Sequence, residues 1–187
     1  VRLIHLWQIR RAPFFDVLMG DARGYGEWAE QIAGGEWIGH EVFYQAPLYP
    51  YFLGAIYALL GRDLLVVRVV QTLVGSASCV LVGLTAWRLF SRRAGLVAGL
   101  GMALYAPAIF FDGLIQKSVL DVFFVSLALW LLSGLVDQTR VAAGFSRTFL
   151  WLGFAMGGLS LTRENALVLV VVILVWILFG SSVGADL

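Results

Sequence analysis

The sequence predicts an all-α integral membrane protein: a multi-span helical bundle with a long extracytoplasmic first loop carrying interfacial amphipathic helices. Two observations carry that class. Hydrophobic residues make up 60% of the 187 and charged residues only 13%, against roughly 25% charged in a typical globular domain, too few to coat a water-soluble fold. The apolar residues also gather into runs near the ~20 residues a helix needs to cross a ~30 Å hydrocarbon core. With so little charge, soluble enzymes, disordered tails and nucleic-acid binders with large basic faces are all poor readings, and a net charge of +1 gives no bulk electrostatic attraction that would decide a partner. The single cysteine, Cys79, lies in an apolar run, so no internal disulfide is available.

Residues 1–11 read as the end of a truncated first transmembrane helix, and the chain, ending at Gly184-Ala185-Asp186-Leu187, as an N-terminal fragment of a longer protein. Arg2, His5, Arg10 and Arg11 interrupt the apolar start, so no cleavable signal peptide is visible. Residues 12–63 form the long loop, and residues 64–187 the transmembrane bundle, with spans near 64–87, 95–111, 119–136, 149–162 and 166–180. Arg68 and Gln71 lie near the start of the first of these, which Arg88-Leu-Phe-Ser-Arg92-Arg93 follows as a short basic connection. The second closes with Tyr105-Ala106-Pro107, a polar interval covers Asp112 to Lys117, and Asp137 to Thr148, with Arg140 and Arg147, reads as a loop. As one helix, the about 31 residues of 149–179 would run ~46 Å at ~1.5 Å per residue, with Arg163-Glu164-Asn165 at mid-membrane. Two spans with that triplet at an interface cost less. Gly153, Gly157 and Gly158 suit close helix packing in the shorter of them.

Arginines in the short connections set the orientation. Arg88, Arg92, Arg93, Arg140 and Arg147 fall on one side, with Lys117 and Arg163 on the other, so the first side is expected to be cytoplasmic. The segment before Leu64, Asp112, Lys117 and Arg163 then converge on the extracytoplasmic face.

The long loop is chemically dense. Asp16, Asp21, Glu27, Glu30, Glu36 and Glu41 accompany a single base, Arg23, between residues 16 and 41. Tyr25, Trp28, Ala29 and Ile32 recur at i, i+3, i+4 and i+7, one apolar stripe on a helix, while Glu27, Glu30 and Gln31 take the other face and Gly34-Gly35 ends the run. Such a helix is expected to lie in the interface with Trp28 at headgroup depth. Leu48 to Leu60, after Pro47 and with Tyr49, Tyr51 and Tyr57, is a second element, too short to span. Two interfacial helices with acids between them suit an enzyme working at the membrane surface.

Asp21-Ala-Arg-Gly-Tyr25-Gly-Glu-Trp28-Ala29-Glu-Gln-Ile-Ala-Gly34-Gly35-Glu-Trp37, followed by Phe43-Tyr-Gln-Ala-Pro47-Leu48-Tyr49-Pro-Tyr, resembles the first extracytoplasmic loop of polyprenyl-phosphate-dependent membrane glycosyltransferases of the GT-C fold. These include protein O-mannosyltransferases, lipid A aminoarabinose transferases and RgtA/B/C/D-like bacterial sugar transferases. Arg88-Leu-Phe-Ser-Arg-Arg-Ala-Gly95-Leu is similar to the basic loop before their third span, and the likeness covers most of residues 16–125. Ala22 departs from the family's Asp-Glu pair, and Lys117 falls near where many members place Glu. The resemblance implies a bacterial inner-membrane, multi-pass enzyme, its active site extracytoplasmic. It would move a sugar from a polyprenyl-phosphate donor to a lipopolysaccharide, glycolipid or protein acceptor. It implies Asp21 and Asp112 as catalytic residues, Asp21 as base or metal ligand, and Arg163 as the arginine that meets the donor phosphate. Tyr25, Tyr49 and Lys117 are the further substrate-binding candidates.

Such a donor leaves as an anion, so it needs charge stabilisation rather than protonation, and a single base for the acceptor hydroxyl suffices, with inversion expected. Arg163, Lys117 or a divalent cation bridging Asp21 to the phosphate would supply that stabilisation. Plainer roles stand beside each assignment. Asp21 can N-cap a helix starting at Ala22, Glu27 and Glu30 can be a solvated face, and Asp112 can mark a span end. Lys117 and Arg163 can snorkel to headgroups, Asp121 reads as a bundle-facing polar residue, and His5 and His40 lack ligand spacing. The competing classes are a secondary transporter, with Asp121 and Arg68 lining its pathway, and a non-catalytic assembly subunit.

Overall fold

A computed structural model describes residues 1–13, 15–38, 45–135, 141–163 and 165–183. Among the described residues every regular element is helical: α1 (Arg2–Ile9), α2 (Asp21–Ala33), α3 (Leu48–Leu60), α4 (Leu64–Leu89), α5 (Arg92–Leu104), α6 (Ala106–Asp112), α7 (Ser118–Leu135), α8 (Val141–Thr162) and α9 (Ala166–Val183). His40, Glu41, Phe43, Tyr44, Asp137, Arg140, Glu164 and the chain end Gly184–Leu187, all used in the sequence reading, lie outside the described residues.

Helix α4 is the hub. Its first turn is capped by the Asp63 carboxylate, which accepts from the Leu65 backbone N–H at 2.7 Å. At 26 residues it is long and apolar enough to cross a membrane, as is the 18-residue α7. Helix α5 packs on α4 backbone to backbone: a Cβ on Gly83 would lie 3.2 Å from the Gly95 carbonyl, and one on Gly95 would lie 2.6 Å from Trp87 Cβ. Small residues at a helix crossing allow this approach where lipid supplies no hydrophobic drive. Gly158 likewise meets the Phe124 ring, whereas Gly153 and Gly157, expected to serve the same purpose, face open space.

Two expected spans change shape. The 95–111 run is bent, α5 and α6 meeting at 54°, as in a broken span or a re-entrant segment. Tyr105 adopts an extended conformation (φ −67°, ψ 106°) and Pro107 stands in the first turn of α6. Proline has no N–H to donate to the carbonyl four residues back, so the ladder cannot run through. The second change concerns α8, which starts at Val141 inside the expected loop and has 22 residues rather than the short span 149–162. At ~1.5 Å per residue that is ~33 Å, but α8 is not among the described helices that are both long and apolar enough to cross a membrane, and exposed Arg147 sits on its second turn, where a long side chain reaches the interface.

The α2–α3 hairpin closes one end of the bundle. Tyr25, Ala29 and Ile32 are buried, but the covering surface is α3 rather than lipid: Gly54 lets Ile32 approach until a Cβ there would lie 2.8 Å from Ile32 Cγ2. Trp28 is half-buried, its ring edge-on to Tyr51 at 6.3 Å. The stripe finds a protein partner because α3 is itself apolar and lacks the length to span. Tyr25, Tyr49 and Leu53 of the hairpin join Val67, Val119, Phe124 and Leu159 of the bundle in one core. Outward-facing Val80, Val97, Leu150, Trp151, Val168 and Val171 are exposed and apolar, as a lipid-facing surface requires.

Gly95→Ala is expected to lower the thermal midpoint of the detergent-solubilised full-length protein, because α4 and α5 must separate. Gly153→Ala, which meets nothing within 4 Å, should hold or raise it, since Ala favours the helix over Gly by up to about 1 kcal/mol. Equal shifts in the two variants would contradict the packing described.

Candidate active site

The start of α4, the end of α6, the start of α7 and the end of α8 lie at the same end of the bundle, beside the α2–α3 hairpin. Asp21, Tyr25, Tyr49, Asp112, Lys117 and Arg163 all belong to that end, and so does Asp121.

Asp21 is the first residue of α2 and not its cap. Gly20 holds the N-cap position in a left-handed conformation, φ +58°, that a side chain would strain, and no side chain caps the helix. The capping role open to Asp21 is therefore not the one it fills. Its carboxylate is exposed, stands at the positive end of the α2 dipole, and accepts from Gln45 Nε2 at 3.2 Å. One turn further, Tyr25 is 3% exposed and meets the Tyr49 ring edge-on at 5.0 Å. Tyr49 is fully buried and donates its hydroxyl to Gln71 Oε1 at 2.6 Å. The two tyrosines expected to bind substrate thus form the floor beneath Asp21 and offer it almost no surface. Burial, then the Asp21 and Asp121 carboxylates, push the Tyr25 phenol above its ordinary range, with Arg163 opposing. Tyr25 stays a neutral hydroxyl at physiological pH, and one ring feels two acids and a cation.

Asp121 lies in the first turn of α7, 7% exposed. Its Oδ2 takes Arg163 Nε at 2.5 Å, while the Arg163 side chain remains 58% exposed. Arg163 follows the last residue of α8, so the pair ties the ends of α7 and α8 together.

Asp112 is engaged elsewhere. The Arg2 Nε donates to its Oδ2 at 2.6 Å, both side chains being buried, and the carboxylate packs against Gly75 where no Cβ intervenes. Arg2 also donates to the carbonyls of Ala103 at 3.0 Å and Met102 at 3.3 Å, at the broken end of α5. A cleft of about 260 Å³, walled by Met102, Pro107, Phe111, Val119 and Val122, reaches the pair from the side. Asp112 is therefore held as a pin between α1, α4 and α6. Lys117 is half-buried, and its ammonium has no partner among the described residues.

A polar layer lies directly under this end. Gln71 Nε2 donates to the carbonyls of Asp112 at 3.1 Å and Leu114 at 2.5 Å. Arg68 donates to Gly113 O at 2.9 Å and Phe15 O at 2.7 Å, with its guanidinium 3.9 Å from the Phe15 ring centroid. As for a metal, no group of three His, Cys, Asp or Glu converges among the described residues. Asp21 supplies a single carboxylate, Asp121 is taken by Arg163, and Asp112 by Arg2. Among the described residues these donors do not by themselves make up a divalent-cation site, and no chemical step here runs through one.

Sequence reasoning missed Gln45 as the partner of Asp21, Arg2 as that of Asp112, and the pairing of Asp121 with Arg163. The available signal was that an ionisable residue inside a span needs a partner, which flags Asp121 without naming Arg163.

The sequence model of the dolichyl-phosphate-mannose-protein mannosyltransferase family matches residues 44–185. The match contains Tyr49, Asp112, Lys117, Asp121 and Arg163, and begins after Asp21 and Tyr25. No curated protein and no solved structure matches the chain.

Asp112→Asn or Arg2→Ala is expected to destabilise the fold by about 3–5 kcal/mol, the usual result of removing one partner of a buried pair. Thermal unfolding of the purified full-length protein reads this directly. An Asp112→Asn protein as stable as wild type but inactive would place Asp112 in the chemistry instead.

Proposed function

Because the chain belongs to the dolichyl-phosphate-mannose-protein mannosyltransferase family, whose members are membrane glycosyltransferases of the GT-C type, we propose that it transfers a sugar from a polyprenyl-phosphate donor to a hydroxyl on a lipopolysaccharide, another glycolipid or a protein. The observation that carries this reading is the placement at one end of the bundle, beside the α2–α3 hairpin, of an exposed carboxylate, Asp21, and an exposed guanidinium, Arg163. A base and an anion-binding cation are what the reaction needs.

Asp21 takes the proton of the acceptor hydroxyl as its oxygen attacks the anomeric carbon. The bond from that carbon to the phosphate oxygen breaks, and the polyprenyl phosphate leaves with the electron pair. No group has to protonate the leaving oxygen, so a single carboxylate suffices. Attack opposite the leaving group inverts the anomeric centre. Charge on the departing phosphate meets Arg163, with Lys117 as a further cation. Tyr25 and Tyr49 set the height of Asp21 above the core. The arginine-rich connection at the other end, with Arg88, Arg92 and Arg93, argues that the Asp21 end faces outward from a bacterial inner membrane.

A secondary transporter needs Arg68 and Asp121 along an open route. Arg68 is 5% exposed and bound by two carbonyls, and Asp121 is closed by Arg163, which favours the transferase.

In membranes containing the full-length protein and polyprenyl-phosphate mannose, Asp21→Asn is expected to cut sugar transfer by about 10²–10⁴-fold, the usual contribution of a general base, with unchanged insertion. Transfer at the wild-type rate would remove Asp21 from the role of base. An assembly subunit would transfer nothing even as wild type.

A further inference from the structure

The reaction as described uses Arg163 and leaves Asp121 without a task. Asp121 is a buried carboxylate at the end of the bundle where the chemistry is placed, and its second oxygen, Oδ1, has no hydrogen-bond partner among the described residues. A carboxylate bound to an exposed arginine as a surface salt bridge contributes little to stability, and a buried one is a costly way to join two helices.

The form of the contact suggests a different use. Asp121 binds Arg163 through Nε alone, at 2.5 Å. Nε is the inner N–H of the guanidinium, so the four N–H groups on Nη1 and Nη2 are left over, and they have no protein partner among the described residues. The two ends of the pair differ in the same sense: the Asp121 side chain is 10% exposed and that of Arg163 is 58% exposed. One member is fixed in the packed start of α7, and the other presents a free edge to water. Arg163 lies just past the end of α8, where an untethered arginine would sample many rotamers. A planar guanidinium held by one N–H offers two parallel donors, the geometry that fits two oxygens of a phosphate.

Resting on the polyprenyl-phosphate donor proposed above, we infer that Asp121 is a positioning residue: it holds the Arg163 guanidinium by Nε so that the free Nη edge receives the donor phosphate. Asp121 touches neither sugar nor phosphate. Its effect passes wholly through Arg163, so removing it matters only while Arg163 is present. Asn at this position keeps an oxygen for Nε and preserves most of the orientation.

The test is binding of a C55 polyprenyl phosphate to the purified full-length protein in detergent, which requires no turnover, together with donor KM and kcat. Asp121→Ala and Arg163→Ala should each weaken binding by about tenfold, within the range of a coupled pair. The double variant should bind no more weakly than Arg163→Ala alone, and Asp121→Asn should bind close to wild type. Thermal unfolding identifies a misfolded Asp121→Ala, in which case Asp121→Ser, whose shorter side chain withdraws the oxygen from Nε, takes its place in the same single- and double-variant comparison. Wild-type affinity in folded Asp121→Ala, or additive losses in the double variant, would overturn the positioning role and leave the donor reading standing. A wild-type protein that binds no polyprenyl phosphate would overturn the donor reading, and this inference with it.

Discussion

The structure depends on how the broken third span is satisfied. Where α5 gives way to α6, the backbone releases carbonyls inside or near hydrocarbon, where no water can take them up. Arg2 answers two of them, at Met102 and Ala103, while Gln71 and Arg68 answer those of Asp112, Gly113 and Leu114 in the turn that follows. Each donor is a long side chain from an element far away in sequence, so satisfying the break also assembles the bundle: α1 is drawn in by Arg2, the segment before α2 by the Phe15 carbonyl on Arg68, and α3 by Tyr49 on Gln71.

The position of the site follows from that layer. Tyr49 is fixed by Gln71, Tyr25 rests on Tyr49, and Asp21 stands one turn before Tyr25 at the start of the same helix. A chain of contacts therefore runs from a buried amide on α4 to an exposed carboxylate in the loop. The same layer explains why the Asp112 carboxylate is engaged by Arg2. Its charge compensates Arg2, whose own charge is held at the break by the carbonyls it caps. On the other flank the Asp121–Arg163 pair ties α7 to α8, and the guanidinium edge it leaves over has no hydrogen-bond partner among the described residues.

The helical membrane class was legible because composition and run length answer directly to the bilayer. The loop helices were legible because Tyr25, Ala29 and Ile32 keep helical spacing and Pro47 and Gly34-Gly35 punctuate the ends. What covered the α2 stripe was not legible, since an apolar stripe does not say whether lipid or α3 will bury it. The Pro107 break was visible as a proline, but not as a bend that keeps the chain in the membrane. Helix α8 began early because nothing in Val141-Ala-Ala ends a helix, whatever Arg147 suggested about a loop. The pairings were the least visible of all. Arg2 and Asp112 are 110 positions apart and Asp121 and Arg163 are 42 apart, and a single sequence carries no record of partners at such distances. Asp21 and Arg163 could be picked out by charge and place; Asp112 looked equivalent until its partner was seen.

Asp21 and Arg163 stand at the same end of the bundle, the end proposed to face outward. The most direct measurement is labelling of single-cysteine variants, Asp21→Cys and Arg163→Cys in a Cys79→Ser background of the full-length protein, by a membrane-impermeant maleimide on intact cells. Both are expected to react without permeabilisation. Reaction of either one only after the membrane is opened would put the two residues on opposite sides, or both on the inner side, and would contradict the account.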